Sequence, residues 1–326
     1  MQAIICTKYG APEVLKRVDM PTPTPQSGEV QIEIHASAAT RADTMMRRAD
    51  PFFARFVLGF WRPKRPIPGT AFAGVVRAVG DGVTRFQTGD RVCGETGMIF
   101  SAYAQYVVLV ETAAMIHLPD GLSMQQGAPI GDGAVTSYHF LKSVGHVRAG
   151  ERVLINGASG GLGTAAVQIA KHLGAHVTAV CSADNHALVL ELGADAVIDR
   201  QTQDFTQTNN AYDVIFDTVG KSSFSRSKRA LRKGGRYICP MLSLGLLLQQ
   251  IRGVRAGGKR AKFAAVGMLP HDQINAILIA LKPLFETGAI KTVIEKTYPM
   301  DEIVAAHSHV DTGRKRGNLV IEMTHG

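Results

Sequence analysis

Cysteine is scarce and scattered in this chain. Cys6, Cys93, Cys181 and Cys239 are the only four in 326 residues, and no two share a CxxC or other paired-ligand spacing. That pattern excludes a disulfide framework, speaks against a structural zinc site, and reads as small buried apolar residues in a reducing compartment. Long hydrophobic runs are missing too: the greasiest stretch, residues 241–248 (MLSLGLLL), is far short of the roughly 20 helical residues that cross a bilayer. Met1 leads into QAIICTKYG without a basic region followed by an apolar one, so no secretory signal is visible and a cytoplasmic location is expected. Acids are outnumbered, 27 against 36 lysines and arginines, for a formal charge of +9. The excess suits an anionic ligand, but it is not gathered into a nucleic-acid-like tract, and nucleic acid is not the first reading. Its densest patch, residues 251–262 (IRGVRAGGKRAK), follows the greasy stretch and reads either as a solvated loop or as a contact with an anionic membrane surface.

What is present is an ordinary globular composition, 45% apolar and 19% charged, at a length that suits two domains. The first 122 residues are short alternating strands (EVQIEIHAS, GVVRAVGDGV, GDRVCG, AYAQYVVL) between Gly, Pro and Asp punctuation. From Ser123 an apolar helix, QQGAPIGDGAVTSYHFLKSV, opens an alternation of strands (RVLIN, HVTAV, AVID, YDVIFDTV, RYICP) and helices (TAAVQIAKHL, NHALVLEL, FSRSKRAL). Repeated βα units require a parallel sheet covered on both faces. After Leu269 a helix from Asp272 to Phe285, the strand KTVIEKTYP, a helix from Asp301 and the strand GNLVIEM are expected, and this tail should return to the N-terminal half.

The segment VLINGASGGLGTAAVQIAKHLGAHVTAVCSADN, residues 153–185, reads as strand, glycine turn, helix and strand. Ala158, Gly160 and Gly163 take the three fingerprint positions of a dinucleotide turn, Ser159, Gly161 and Leu162 complete it, and Gly157 adds freedom. An acid that would hold the ribose of NAD is expected at the end of the second strand, about 20 residues on. Cys181 and Ser182 stand there instead. A carboxylate would repel the 2′-phosphate of NADP; Ser182 and Asn185 can donate to it. Asp184 is of the wrong sign, so the positive charge must come from Arg200, His186 or the distant Arg314 and Arg316. NADPH is therefore favoured, against the alternative that Cys181 and Ser182 merely end a strand.

Together the motifs GDRVCG, VRAGERVLINGASGGLGTAAVQIAKHLGA, LGADAVID, YDVIFDTVG and LRKGGRYI resemble the medium-chain dehydrogenase/reductase superfamily, and within it the zinc-free quinone oxidoreductases related to zeta-crystallin. The resemblance implies an α/β fold: a doubly wound Rossmann NADP-binding domain, residues 123–268, inserted between the two parts of a GroES-like β domain, residues 1–122 and 269–326. It implies a homodimer, and adds Val219 to the cofactor-binding candidates beside Arg316. Where zinc-dependent relatives carry C-x-x-D and G-H-E ligand segments, this chain has TRAD (Thr40 to Asp43) and GTA (Gly69 to Ala71), so no zinc is expected. The chain also departs from the quinone reductase pattern, with Thr40 where Asn is common and Ala71 where an acid is common. Without a metal, the expected reaction is hydride transfer from NADPH to a quinone or an α,β-unsaturated carbonyl, which delocalises the incoming charge itself. Thr40, Arg47 and Thr136 are the candidate donors to the developing oxyanion. Residues 50–66 hold Phe52, Phe53, Phe56, Phe60 and the only tryptophan, Trp61; they read equally as a lid over a flat substrate and as a packing or dimer contact. Reduction of an enoyl thioester, and a non-catalytic NADPH-binding protein that contacts RNA or a membrane, are the alternatives.

Overall fold

The computed structural model describes residues 1–241 and 258–324, so the apolar and basic stretches noted at 241–262 lie largely outside the described residues. Two compact units result. The first comprises Met1–Asp132, Gly267–Gly288 and Thr292–Gly326, and the second Gly133–Val266 and Ala289–Lys291.

In the first unit, β1 (Gln2–Cys6) and β2 (Leu15–Asp19) form an antiparallel pair. A larger sheet is built from β3 (Glu29–Ala39), β4 (Ala71–Val79), β5 (Arg91–Glu95), β6 (Tyr106–Val110) and β7 (Met115–His117). The second unit holds β8 (Arg152–Asn156), β9 (His176–Cys181), β10 (Ala196–Asp199), β11 (Tyr212–Asp217), β12 (Leu231–Ile238) and β13 (Arg260–Lys262). The chain then adds β14 (Ile294–Pro299) and β15 (Asn318–Glu322) to the first unit's sheet, in the order β14-β15-β3-β4-β5-β7 with β6 on β3. The expected return of the tail is this pairing: β15 runs antiparallel to β3, Leu319 opposite Ala39 and Glu322 opposite Ala36. Val30, Ile32 and Ile34 of β3 point into a core that also takes Leu319, Ile321 and Phe72. Alternation at the start of β3 orients that strand; the tail's LVI run then covers it.

Every pairing in the second unit's sheet is parallel, in the order β10-β9-β8-β11-β12-β13. Numbered within the unit this is 3-2-1-4-5-6, the doubly wound arrangement expected. Val153, Leu154 and Ile155 of β8 are all inaccessible to solvent, as a central strand covered on both faces requires. The helix Gly161–His172 follows β8, and the helix His186–Glu191 follows β9.

Two expected helices differ. The apolar segment after Ser123 is divided into Met124–Gly127, the tighter turn Ala128–Gly131, Gly133–Tyr138 and His139–Val144. Pro129 has no amide hydrogen to continue the first of these, and two glycines follow it. FSRSKRAL is helical only over Phe224–Ser227; from Leu231 the chain is β12, pairing with β11. Sheet pairing overrides a helix-favouring composition there. All four cysteines are free and buried, and burial pushes the thiols of Cys93 and Cys239 up to about 12, which leaves them inert near neutrality. Among the described residues no helix is long and apolar enough to cross a membrane.

Candidate functional site

The glycine turn of the second unit begins where β8 ends. Gly157 has φ +82°, and a Cβ there would lie 2.1 Å from Val219 Cγ2 and 2.7 Å from Thr218 Oγ1, so only glycine fits. Ala158, read from the sequence as the first fingerprint position, is fully buried with its amide on the Val180 carbonyl at 3.1 Å. The left-handed turn is Gly157's instead. Ser159 is half-buried, and Gly160 caps the Gly161–His172 helix in extended conformation without a side-chain cap. The amides of Gly161, Leu162 and Gly163 open that helix and have no intrahelical partner, which together with the helix dipole makes an anion seat. At Gly163 a Cβ would sit 2.1 Å from the Gly157 carbonyl oxygen, so helix and turn meet backbone to backbone.

At the end of β9, Ser182 Oγ accepts a hydrogen bond from Arg200 Nε at 2.9 Å. Parallel register places Asp199 of β10 opposite Cys181, and the Arg200 amide donates to the Cys181 carbonyl at 2.9 Å. The position where an acid was expected thus lies beside a guanidinium. Asn185 is half-buried and its amide donates to the Ser182 carbonyl at 2.9 Å. Val219 is exposed, on a loop held by a residue that sequence reasoning passed over: the buried carboxylate of Asp217 accepts from the Val219, Gly220 and Ser222 amides. Its position in FDTVG, at the C-terminal end of an apolar strand, was the available signal. Thr136 is buried on Gly133–Tyr138 in this unit, whereas Arg316 belongs to the first unit, exposed, with its amide on Glu295 at 2.7 Å.

In the first unit Thr40 is the N-cap of the Arg41–Arg48 helix, in a capping box with Asp43. Thr40 Oγ1 donates to Asp43 Oδ2 at 2.7 Å and accepts from the Asp43 amide at 3.1 Å. The Arg47 side chain is buried: Nε donates to the Gly10 carbonyl and Nη2 to Asp311 at 2.5 Å, while Nη1 lacks a partner. Asp43 Oδ2 also receives Tyr103 Oη at 3.1 Å, Tyr103 Oη contacts His307 Nε2 at 3.2 Å, and Asp43 Oδ1 is buried without a partner. Burial pushes the Asp43 carboxyl up to about 6 and holds the His307 imidazole down to about 3, hence neutral. Glu95 is raised to about 8 by burial, then by Asp132 and Asp43, and burial also raises Asp132. A narrow cleft in this unit is lined by Tyr9, Asp43, Arg47, Arg65, Gly69 and Phe100, among others. Asp43 and Arg47, an acceptor and a guanidinium, stand in its wall with almost no accessible surface of their own. From residues 50–66 it is Leu58, Pro63 and Arg65 that line this cleft, not the aromatic rings.

The positions that bind zinc in metal-dependent relatives do not fit a zinc ion. Thr40's hydroxyl is engaged by Asp43, Thr70 is buried, and Ala71 has no donor atom in its side chain. Among the described residues no three His, Cys, Asp or Glu are placed to hold a metal. Thr40→Ala is expected to cost about 1–2 kcal/mol, because it removes the cap and one of Asp43's buried donors. Urea unfolding checks this, and a loss within error would mean that the cap is dispensable.

A glycine turn after the central strand of a 3-2-1-4-5-6 parallel sheet, carried by a chain whose other unit is a largely antiparallel β sheet, is the architecture of a dinucleotide-binding fold joined to a β domain. Residues 26–120 match the alcohol dehydrogenase GroES-like domain, and residues 192–321 the family described as zinc-binding dehydrogenase. The quinone oxidoreductase of Homo sapiens is 31% identical over 96% of this chain and 94% of its own length. The chain belongs to the quinone oxidoreductase-like members of the medium-chain dehydrogenase/reductase superfamily. Among solved structures, the quinone oxidoreductase of Coxiella burnetii superposes with a TM-score of 0.86 at 27% identity, covering 99% of both chains. The Escherichia coli quinone oxidoreductase complexed with NADPH shares the fold, with a TM-score of 0.84 at 24% identity over 99% of this chain and all of that one.

Proposed function

We propose that this protein is a zinc-independent reductase that uses NADPH to reduce a quinone or an α,β-unsaturated carbonyl. The observation that carries the cofactor reading is the Ser182–Arg200 pair, a hydroxyl and a guanidinium 2.9 Å apart where an NAD-preferring unit would hold an acid. In this reading the amides of Gly161 to Gly163 seat the pyrophosphate, and Ser182, Asn185 and Arg200 take the 2′-phosphate. NADPH supplies the hydride when bound. The protein's own part is to orient the acceptor and stabilise the oxyanion that develops on it. Arg47, through the Nη1 that lacks a partner, and Thr40 and Thr136 are the candidate donors. Asp43 joins them as the group that can exchange a proton, since its carboxyl is raised to about 6, its Oδ1 lacks a partner and the residue lines the cleft. The ion pair with Asp311 holds the Arg47 guanidinium in place, so that it need not reorganise as the acceptor is reduced.

The test is cofactor absorbance with NADPH and NADH against 1,4-benzoquinone, an alkenal and an enoyl-CoA. Oxidation of NADPH by the quinone or the alkenal supports the reading, and turnover confined to enoyl-CoA replaces it with thioester reduction. Ser182→Asp should lower kcat/KM with NADPH relative to NADH by roughly five- to thirty-fold, because the new carboxylate both repels the 2′-phosphate and pairs with Arg200. An equal fall with both cofactors would mean that Ser182 does not meet the 2′ position.

A further inference from the structure

Most of the aromatic side chains of residues 50–66 are left in water. Trp61 is 85% exposed, Phe56 72%, Phe52 63% and Phe60 43%. They are one cluster: Phe60 meets Trp61 edge to face at 4.9 Å, Phe52 edge to face at 6.4 Å, and Phe56 tilted at 6.1 Å. Val57, also exposed, extends it. The backbone beneath is held, with Tyr9 Oη donating to the Gly59 carbonyl at 2.7 Å and the Lys64 amide to the Leu58 carbonyl at 2.8 Å. A contiguous, supported apolar patch of this kind marks an interaction surface.

Charge identifies its partner. Between Asp50 and Asp81 the chain has no acidic residue, while Arg55, Arg62, Lys64 and Arg65 flank the rings. Arg62, Lys64 and Arg65 are exposed and form no ion pair among the described residues, and Arg55 stacks on Phe52 at 4.9 Å. We propose that this segment docks the protein peripherally on an anionic lipid bilayer, the rings entering the headgroup region and the three free cations meeting lipid phosphates and carboxylates. Aromatic side chains flanked by lysine and arginine are the composition that partitions to that interface. Each cation near an anionic surface contributes about five-fold in affinity. A second copy of the same surface is a poorer partner, because a symmetric contact would set the like charges against each other. Single-stranded nucleic acid is poorer as well: it stacks successive bases on ring faces, and two of the three ring contacts here are edge to face, which sets the rings at steep angles to one another.

Trp61 is the chain's only tryptophan, so its emission reports on this surface alone. The full-length protein is mixed with vesicles of phosphatidylcholine, and with the same vesicles enriched in phosphatidylserine, while fluorescence and co-sedimentation are followed. The expected result is a blue shift and sedimentation with the anionic vesicles only, both reversed by high salt. Arg62→Gln with Lys64→Gln should weaken the binding by about five-fold per charge removed. Phe56→Ser with Trp61→Ser should abolish sedimentation while leaving the thermal melt in place, since these side chains are exposed. The proposal is overturned by equal binding to both vesicles, by sedimentation without a blue shift, by sedimentation that survives the Phe56/Trp61 variant, or by no binding. A shift induced by single-stranded RNA but not by vesicles, or by raising protein concentration alone, would overturn it in favour of those partners.

Discussion

Asp217→Ala is expected to lower stability by about 3–5 kcal/mol, because it strips a buried charge site of its acceptor and leaves its donors behind. The carboxylate is inaccessible to solvent at the end of β11. Oδ1 accepts from Asn156 Nδ2 at 2.9 Å, the Gly220 amide at 3.0 Å and the Val219 amide at 3.2 Å. Oδ2 accepts from Tyr237 Oη at 2.8 Å and the Ser222 amide at 2.9 Å. Alanine leaves all of these donors without their acceptor, and backbone amides cannot be moved to water without moving the loop. Asp217→Asn keeps the shape but turns one oxygen into a donor facing donors, so an intermediate loss is expected. Urea unfolding followed by far-UV circular dichroism reads the effect; Trp61 lies in the other unit and is a poor reporter. A loss below about 1 kcal/mol for alanine would mean that water replaces the carboxylate freely.

Glu95→Gln should change the pH dependence of stability more than any other single replacement in the first unit. Burial, reinforced by Asp132 and Asp43, raises the folded-state carboxyl from 4.5 to about 8. The folded protein therefore binds a proton that the unfolded chain has already released. Stability from this group is complete below the unfolded value and falls as pH rises from 4.5 towards 8. Asp43, raised from 3.8 to about 6, adds a fall of the same sign over its own lower window. Glutamine removes the ionisation and keeps the volume. The variant should match the parent near pH ~5 and exceed it by about 2–4 kcal/mol near pH ~9. Each tenfold difference in proton affinity between the folded and unfolded chain contributes about 1.4 kcal/mol, and coupling among the three acids trims the total. Urea midpoints at the two pH values test it. Parallel profiles for parent and variant would show that Glu95 ionises without penalty in the fold.

Both effects come from residues whose importance is invisible along the chain. Asp217 in FDTVG reads as a strand-ending acid until Asn156, from a strand about sixty residues earlier, is laid beside it. Glu95, Asp43 and Asp132 lie in separate motifs, and only folding gathers their charges into one low-dielectric region. Arg47, a candidate donor in TRADTMMRR, is taken out of water by Asp311, 264 residues away. Its neighbour Arg48 bonds the same carboxylate from an exposed position, so composition alone could not distinguish them.

The parallel sheet, the glycine turn, the missing acid after β9 and the return of the tail were all legible in the sequence. Each rests on short-range regularity: a strand buried on both faces must be continuously apolar, and a backbone contact so close that a Cβ at Gly163 would lie 2.1 Å from a carbonyl oxygen admits no side chain. Tertiary structure alone decided that Gly157 makes the turn in place of Ala158, that Arg200 comes to Ser182, and that the rings near Trp61 stay in water while Leu58 and Pro63 wall the cleft. Hydrogen bonds and charge interactions act over a few ångströms of space regardless of chain separation. A sequence can therefore name the groups able to make them, but only the folded chain selects which of them meet.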